Sequence, residues 1–295
     1  MDLGLIGLGK MGQAIAYRLS KDNHKIFAYD PNVNKVNIKN VKLEKNIVEL
    51  TKKTKIIWLM LPASKVDLVI NNISPHLQKD SILIDGGNSN FQETIKRYNN
   101  LKSKNINYLD CGTSGGIQGE KIGFCLMLGG DKNIYLKIES ILKSIAAPNG
   151  YAYIGPSGAG HYIKMIHNGI EYSLLQAYAE GFNLLKNNDR YKNLDLEKIS
   201  NLWMHGSIIR SWILELAHNI FQKDQELLNI SGNIGENLTG RWTLQETKEQ
   251  KIPMNLLEQS LKIRKWSRES GGNFATKIIA KLRNKFGGHP IKKID

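Results

Sequence analysis

Cysteine and proline are scarce in this chain of 295 residues, which has two cysteines, Cys111 and Cys125, and seven prolines. Two thiols without neighbours at metal-ligand spacing exclude a disulfide-stapled scaffold and a zinc module. A chain this long can build its core without either, so both are expected to be reduced packing residues. Long apolar runs are missing as well. No stretch approaches the ~20 residues of a membrane-spanning helix, and residues 1–12 enter a strand-like segment without a charged start or cleavage site, which points to a cytoplasmic protein. Negative charge is the third shortage: 27 Asp+Glu face 41 Lys+Arg, a formal net charge of +14. With 41% hydrophobic and 23% charged residues, the composition is globular and excludes disorder for most of the chain.

An excess of +14 admits three kinds of partner: nucleic acid, an anionic membrane surface, or small anionic ligands. Its distribution separates them. The lysines of the N-terminal half (Lys35, Lys39, Lys42, Lys45, Lys52, Lys53, Lys55) are scattered among Asn and Ile with no helical or aromatic-interleaved stripe, and read as solvated surface. From Arg241 to the end there are 13 Lys+Arg against 5 Asp+Glu, so +8 of the total lies in this short segment. The C-terminal end is therefore where an anion is expected.

The pattern of elements divides the chain. Strand signals at 2–6, 25–29, 55–60, 81–85, 106–110 and 150–154 alternate with helical stretches that include 64–73, 90–104 and 132–145. That alternation predicts a doubly wound parallel sheet covered on both faces. The breaker-rich run Gly155-Pro156-Ser157-Gly158-Ala159-Gly160 ends it, giving a Rossmann-type domain over 1–155 and an all-α domain over 156–295. Helices are expected at 158–187, 195–203, 208–223, 254–269 and 274–285, with a polar loop over 223–240. Ile163, Ile166, Ile170 and Leu174 are more apolar surface than one helical layer covers, which calls for a partner subunit.

Directly after the first strand stands Gly7-Leu8-Gly9-Lys10-Met11-Gly12, the G-x-G-x-x-G pattern, opening a helix. Gly7 permits the tight turn, Gly9 lets a pyrophosphate approach the backbone, and Gly12 lets helix and strand pack closely. Asp30 ends the second strand, where a carboxylate can accept hydrogen bonds from an adenosine ribose. The following Pro31, Asn32 and Val33 offer no cation for a 2′-phosphate, so NAD is favoured over NADP.

Near the start of the long helix, Lys164, His167, Asn168 and Glu171 fall at i, i+3, i+4 and i+7, within an arc of about 100°. Flanked by Ile163, Met165, Ile166 and Ile170, this row is expected to be partly buried, and buried charge is costly unless paired or used. A lysine and a glutamate so placed could serve as two proton carriers for two proton steps. On an isolated helix the same row would read as solvated surface.

These residues and motifs together resemble a 6-phosphogluconate dehydrogenase of the shorter class, over nearly the whole length. The resemblance rests on Gly7–Gly12, Asp85-Gly86-Gly87-Asn88-Ser89, Gly112-Thr113-Ser114-Gly115-Gly116, the segment from Lys164 to Tyr172, and Gly240-Arg241-Trp242-Thr243. It implies Lys164 as general base and Glu171 as general acid, with Asn88, Ser114, Gly115, Gly116, His167, Asn168 and Tyr172 holding substrate and nicotinamide. It assigns the nucleotide to Gly7, Leu8, Gly9, Lys10, Met11, Gly12, Asp30, Leu61 and Asn88, and no metal. By position, Thr239 and Arg264 match sugar-phosphate residues. Arg283 and His289 match a tail motif that the family inserts into a neighbouring subunit's site, so a homodimer or homotetramer is implied. Two departures stand out: Asn237 occupies the place of a phosphate-binding lysine of the longer enzymes, for which Arg241 is the nearest candidate substitute, and Pro62 replaces a lysine near the cofactor.

Two other readings compete. A β-hydroxyacid dehydrogenase of the 3-hydroxyisobutyrate or tartronate-semialdehyde type would share the fold, the Ser-Gly-Gly loop and the lysine, but its substrate has no phosphate for Arg264, Arg283 and His289 to bind. A non-catalytic basic protein that binds nucleic acid would need those residues along an open groove, and would not need the row on the long helix.

Overall fold

The structure is a computed structural model that describes residues 1–294. The chain divides into two compact units, Met1–Met165 and Ile166–Asp295.

The first unit is built on an eight-stranded sheet: β1 (Asp2–Ile6), β2 (Lys25–Tyr29), β3 (Val41–Leu43), β4 (Ile56–Leu59), β5 (Ile82–Asp85), β6 (Asn107–Ser114), β7 (Phe124–Gly129) and β8 (Ala146–Gly155). Their order across the sheet is β3-β2-β1-β4-β5-β6-β7-β8. β1 to β6 are parallel throughout. β7 then runs antiparallel to β6, and β8 parallel to β7. The doubly wound, mostly parallel sheet is as expected, with one antiparallel step from β6 to β7, where the connection is too short for a crossover to a parallel neighbour.

Period-two alternation distributes the strand residues over two cores, one on each face. Leu3, Leu5, Trp58, Ile82, Ile84, Leu109 and Cys111 enter one; Ile6, Ile57, Leu59, Leu83 and Tyr108 enter the other. Burial of both faces explains why these strands read as near-continuous apolar runs. On the first face lie α1 (Lys10–Lys21) and α7 (Glu139–Ile145); on the second, α2 (Ile47–Lys53), α3 (Ala63–Ile73) and α4 (Phe91–Lys102). The short α5 (Gly119–Ile122) precedes β7, and α6 (Lys132–Lys137) precedes α7, so the single stretch expected at 132–145 is two helices broken at Ile138. Cys111 is buried, but Cys125 on β7 is exposed, because its position alternates with the buried Phe124 and Leu126; the expectation that both are packed is corrected for Cys125.

Helix α8 (Ala159–Lys186) begins in the first unit and continues into the second, where α9 (Leu196–Met204), α10 (Trp212–Phe221), α11 (Leu238–Gln250), α12 (Asn255–Ser270) and α13 (Phe274–Gly287) follow. The core of the second unit joins Leu175, Ala179 and Phe182 of α8 to Leu214, Ala217, Ile220 and Phe221 of α10 and to Ile278, Ile279 and Leu282 of α13. Asp195, Ser211 and Asn273 cap the N-termini of α9, α10 and α13, each accepting from a backbone N–H of the first turn. Along α8, Ile163, Ile170, Leu174 and Leu184 are 40–72% exposed. Among the described residues no helix is long and apolar enough to cross a membrane.

Phe182 anchors the second core, with its ring 4.7 Å from that of Phe221 and 5.7 Å from that of Trp203. Phe182→Ala is expected to cost about 3–5 kcal/mol, read as a fall in Tm and in denaturant midpoint; a loss under about 1 kcal/mol would contradict this packing.

Candidate active site

In the first unit the glycine-rich loop has the geometry its sequence predicts. Gly7 has φ +99°, and a Cβ there would lie 2.3 Å from the carbonyl oxygen of Met60. A Cβ on Gly12 would lie 2.0 Å from the carbonyl oxygen of Gly7, so both positions exclude a side chain. Nothing lies within 4 Å of a Cβ on Gly9, which leaves open space over the N-terminus of α1. Gly9 caps that helix without a side chain, so first-turn N–H groups and the positive end of the helix dipole are available to an anion. These are the features a pyrophosphate requires.

Asp30 is half-buried. Its Oδ2 accepts the N–H of Leu8 at 2.7 Å and its Oδ1 that of Asn32 at 2.9 Å, so it braces the glycine loop while its remaining lone pairs can meet ribose hydroxyls. A cleft of about 240 Å³ is lined by Met11, Met60, Leu61, Pro62, Ala63, Gly86, Gly87, Asn88 and Thr113. Met11, Leu61 and Asn88 are residues expected at a cofactor site. Pro62 stands with them, at the place expected near the cofactor, while Met60 and Ala63 join unannounced, because an apolar wall gives no residue-type signal in a sequence. Lys10 is the exposed first residue of α1, and Leu8 is buried beneath it.

Ser114 ends β6, and Gly115 and Gly116 follow with φ +128° and +55°, a turn that presents successive backbone N–H groups. Gly112 lies against α8: a Cβ there would be 2.5 Å from the Cβ of Lys164. Lys164 is buried in the first unit, 6% exposed.

The second unit holds the other predicted residues. His167 Nδ1 lies 3.2 Å from Oδ1 of Asn168, and Asn168 Nδ2 donates to Thr239 Oγ1 at 3.2 Å. Thr239 Oγ1 in turn donates to Asn237 Oδ1 at 2.7 Å, and the Tyr172 hydroxyl donates to the same oxygen. The Arg264 guanidinium stacks 3.5 Å above the Tyr172 ring. Burial pushes the Tyr172 phenol up, against the opposing pull of Arg264 and Arg283.

Arg264 is 1% exposed, and none of its three guanidinium nitrogens has a hydrogen-bond partner among the described residues. Burial pushes this guanidinium down to about 10, and Arg283 nearby adds to the shift. Arg283 is 5% exposed and is also lowered by burial, while Glu171 acts on both arginines in the opposite sense. Glu236, by contrast, occupies Arg241 through a bidentate pair at 2.7 and 2.8 Å and Arg268 at 2.9 Å. Arg241 is therefore engaged by a carboxylate, with a side chain 63% exposed. Beyond α13, the segment with His289 turns back on its own unit: Asn284 Nδ2 donates to the His289 carbonyl, and Ser231 N donates to that of Lys292.

A buried pair of guanidiniums, one with all its donors unpaired, has the chemistry to receive a dianion with several acceptor oxygens. Among the described residues no group of three His, Cys, Asp or Glu could hold a metal ion.

Comparison with known proteins agrees with this chemistry. Residues 2–155 match the NAD binding domain of 6-phosphogluconate dehydrogenase, and residues 160–293 match the C-terminal domain of 6-phosphogluconate dehydrogenase. The chain is 39% identical to the NAD(+)-dependent, decarboxylating 6-phosphogluconate dehydrogenase of Haloferax volcanii, with all of both chains covered. It is similar to the Plasmodium falciparum 6-phosphogluconate dehydrogenase structure, with TM-score 0.80 and 32% identity, covering 97% of this chain and 65% of that longer one. A 3-hydroxyisobutyrate dehydrogenase from Salmonella typhimurium has a TM-score of 0.75, covering 95% of this chain and 99% of that one, but at 16% identity it shares the fold alone.

Two outcomes follow from the geometry. Gly12→Val should abolish nucleotide binding, measured by NADH fluorescence titration, because no rotamer relieves a contact with backbone. Arg264→Met removes a buried, uncompensated charge and should leave Tm unchanged or raise it. It should also erase the rise in Tm that inorganic phosphate gives the wild type, and a phosphate-dependent rise that survives in Arg264→Met would refute the anion site.

Proposed function

The chain belongs to the 6-phosphogluconate dehydrogenase family, and from that premise we propose that it converts 6-phospho-D-gluconate to D-ribulose 5-phosphate and CO2. NAD is the favoured oxidant and NADP the lesser one. The observation that carries the proposal is Arg264, a buried guanidinium with no protein partner for its donors, beside a second buried arginine. Removing such a charge from water is costly, and a phosphate is a ligand that offsets that cost. A 3-hydroxyisobutyrate-type substrate would bring no such group.

The bound nucleotide supplies the hydride acceptor. Gly7, Leu8, Gly9, Lys10, Met11 and Gly12 hold its pyrophosphate, Asp30 its adenosine ribose, and Leu61 and Asn88 flank its nicotinamide. Lys164 takes the proton of the C3 hydroxyl as hydride leaves C3. The resulting carbonyl is β to the carboxylate and accepts the electron pair released as CO2 departs, so this step needs no metal. Lys164, now an ammonium, returns its proton to the enolate oxygen. Glu171, seven residues on along α8, protonates the carbon that lost the carboxylate. Ser114, Gly115, Gly116, His167, Asn168 and Tyr172 orient the sugar acid, with Thr239, Arg264, Arg283 and His289 at its phosphate.

We extend the reading to assembly. The exposed Ile163, Ile170, Leu174 and Leu184 along α8 support a homodimer or homotetramer rather than a monomer. Arg283 acts on Arg264 of its own chain, and the segment with His289 is bonded to its own unit, so a place for Arg283 and His289 in a neighbour's site rests on the family resemblance alone. A cytoplasmic location follows from dependence on a recycled nucleotide pool. The basic C-terminal segment serves small anions, and the reading includes neither nucleic acid nor membrane as a partner.

The test is NADH formation with 6-phosphogluconate, run in parallel with NADP. Activity with NAD above that with NADP is expected, falling about 10²–10⁴-fold in a folded Lys164→Met variant; an active Lys164→Met would sink the mechanism. His289→Ala should raise KM for 6-phosphogluconate and spare NAD affinity. A monomer in light scattering at assay concentration, fully active, would refute the assembly.

A further inference from the structure

The loop that presents Asn88 is shaped by a residue outside the assigned machinery. Asn88 is exposed, while its neighbours Gly87 and Ser89 are buried. Both neighbours are drawn to one carboxylate: Asp85 Oδ1 accepts the N–H of Gly87 at 3.1 Å, and Asp85 Oδ2 accepts the Ser89 hydroxyl at 2.7 Å. Asp85 ends β5 and is fully buried. Its Oδ2 also accepts the Tyr108 hydroxyl from β6 at 3.0 Å and faces Arg97 Nη1 from α4 at 3.5 Å. The other two nitrogens of Arg97 donate to Asp67 of α3 at 2.6 and 2.8 Å. α3 begins at Ala63, which lines the same cleft as Asn88.

The same residue reaches the catalytic helix through its backbone. The carbonyl oxygen of Asp85 accepts from His161 Nε2 at 3.1 Å, and His161, 2% exposed, lies one turn before Lys164. His161 Nδ1 is 2.7 Å from the Thr94 hydroxyl of α4, which fixes the ring. One residue thus ties the Asn88 loop on its side-chain face to the first turn of α8 on its main-chain face. A loop that only had to close could do so without a buried charge, which is costly unless its acceptors are filled.

We propose that Asp85 is a positioning residue for the reaction. It turns Asn88 into the cleft by pulling on the residues either side of it, and holds that loop in register with Lys164 through His161. This rests on the functional reading above, which assigns Asn88 to nicotinamide and substrate. Because small displacements of a positioning group cost large factors, Asp85→Asn should lower kcat by roughly 10- to 100-fold and weaken NADH binding.

The deciding experiment is a double-mutant cycle with Asn88→Ala, read both in kcat and in NADH affinity by fluorescence, with folding followed by circular dichroism. If Asp85 acts through Asn88, the loss from Asp85→Asn should shrink to a few-fold or less in the Asn88→Ala background. Equal losses in both backgrounds would mean a structural role alone and overturn the proposal. Should Asp85→Asn fail to fold, Ser89→Ala removes one of the two ties and the same cycle decides. A wild-type protein that binds NADH but leaves 6-phosphogluconate untouched would fault the functional reading, while the affinity cycle still decides the role of Asp85. A protein that binds no NADH would overturn both.

Discussion

The start of α8 is held by Asp110, and the placement of Lys164 depends on it. This carboxylate is fully buried on β6 and accepts the N–H of Gly158 at 2.8 Å and of His161 at 2.9 Å. A negative charge there fills donors that the helix itself cannot satisfy and opposes the positive end of its dipole. The approach is close enough that a Cβ on Gly129 or Gly160 would come within 3 Å of the same carboxylate. In register beside it, Asp85 does for the Asn88 loop what Asp110 does for the helix. Two adjacent strands thus carry two buried acids, each committed to backbone that must be placed accurately.

The second unit manages positive charge by the same logic in reverse. Four arginines, Arg241, Arg264, Arg268 and Arg283, belong to one unit, and only Glu236 pairs with any of them in the contacts described. It takes the two outer ones; the hydrogen bond from Arg241 holds its carboxyl below the usual carboxylate range. Burial lowers the pKa of both buried guanidiniums, and Arg264 keeps all three nitrogens without a hydrogen-bond partner among the described residues. The excess of +8 from Arg241 onward therefore has two parts, a small buried portion at Arg264 and Arg283, where the proposed function places the phosphate, and a larger solvated portion that adds to the surrounding positive field.

Much of this is legible in the sequence, for identifiable reasons. Strands buried on both faces and helices with one apolar stripe leave a pattern, so six strands and most helices can be read to within a few residues. β3, only Val41–Leu43, is too short to leave one, and the direction of β7 is set by a tertiary choice that no local period records. α11 starts at Leu238, next to the polar loop; with a weakly amphipathic sequence and no side-chain cap it leaves no clear signal. The glycine loop is legible because each glycine answers a steric demand. Arg264 is reached only by resemblance, since a sequence does not show that a guanidinium is buried without a partner. Asp85 and His161 act through a contact between residues 76 apart in the chain, and such pairs leave no periodic trace.

The central claim is that the buried, unpaired guanidinium of Arg264 selects a phosphorylated sugar acid. The most direct measurement is the ratio of kcat/KM for 6-phosphogluconate over gluconate, in the wild type and in Arg264→Met. The account predicts a large ratio in the wild type, falling by at least about 10-fold in the variant, with gluconate turnover nearly unchanged. A ratio that is the same in both proteins would contradict it.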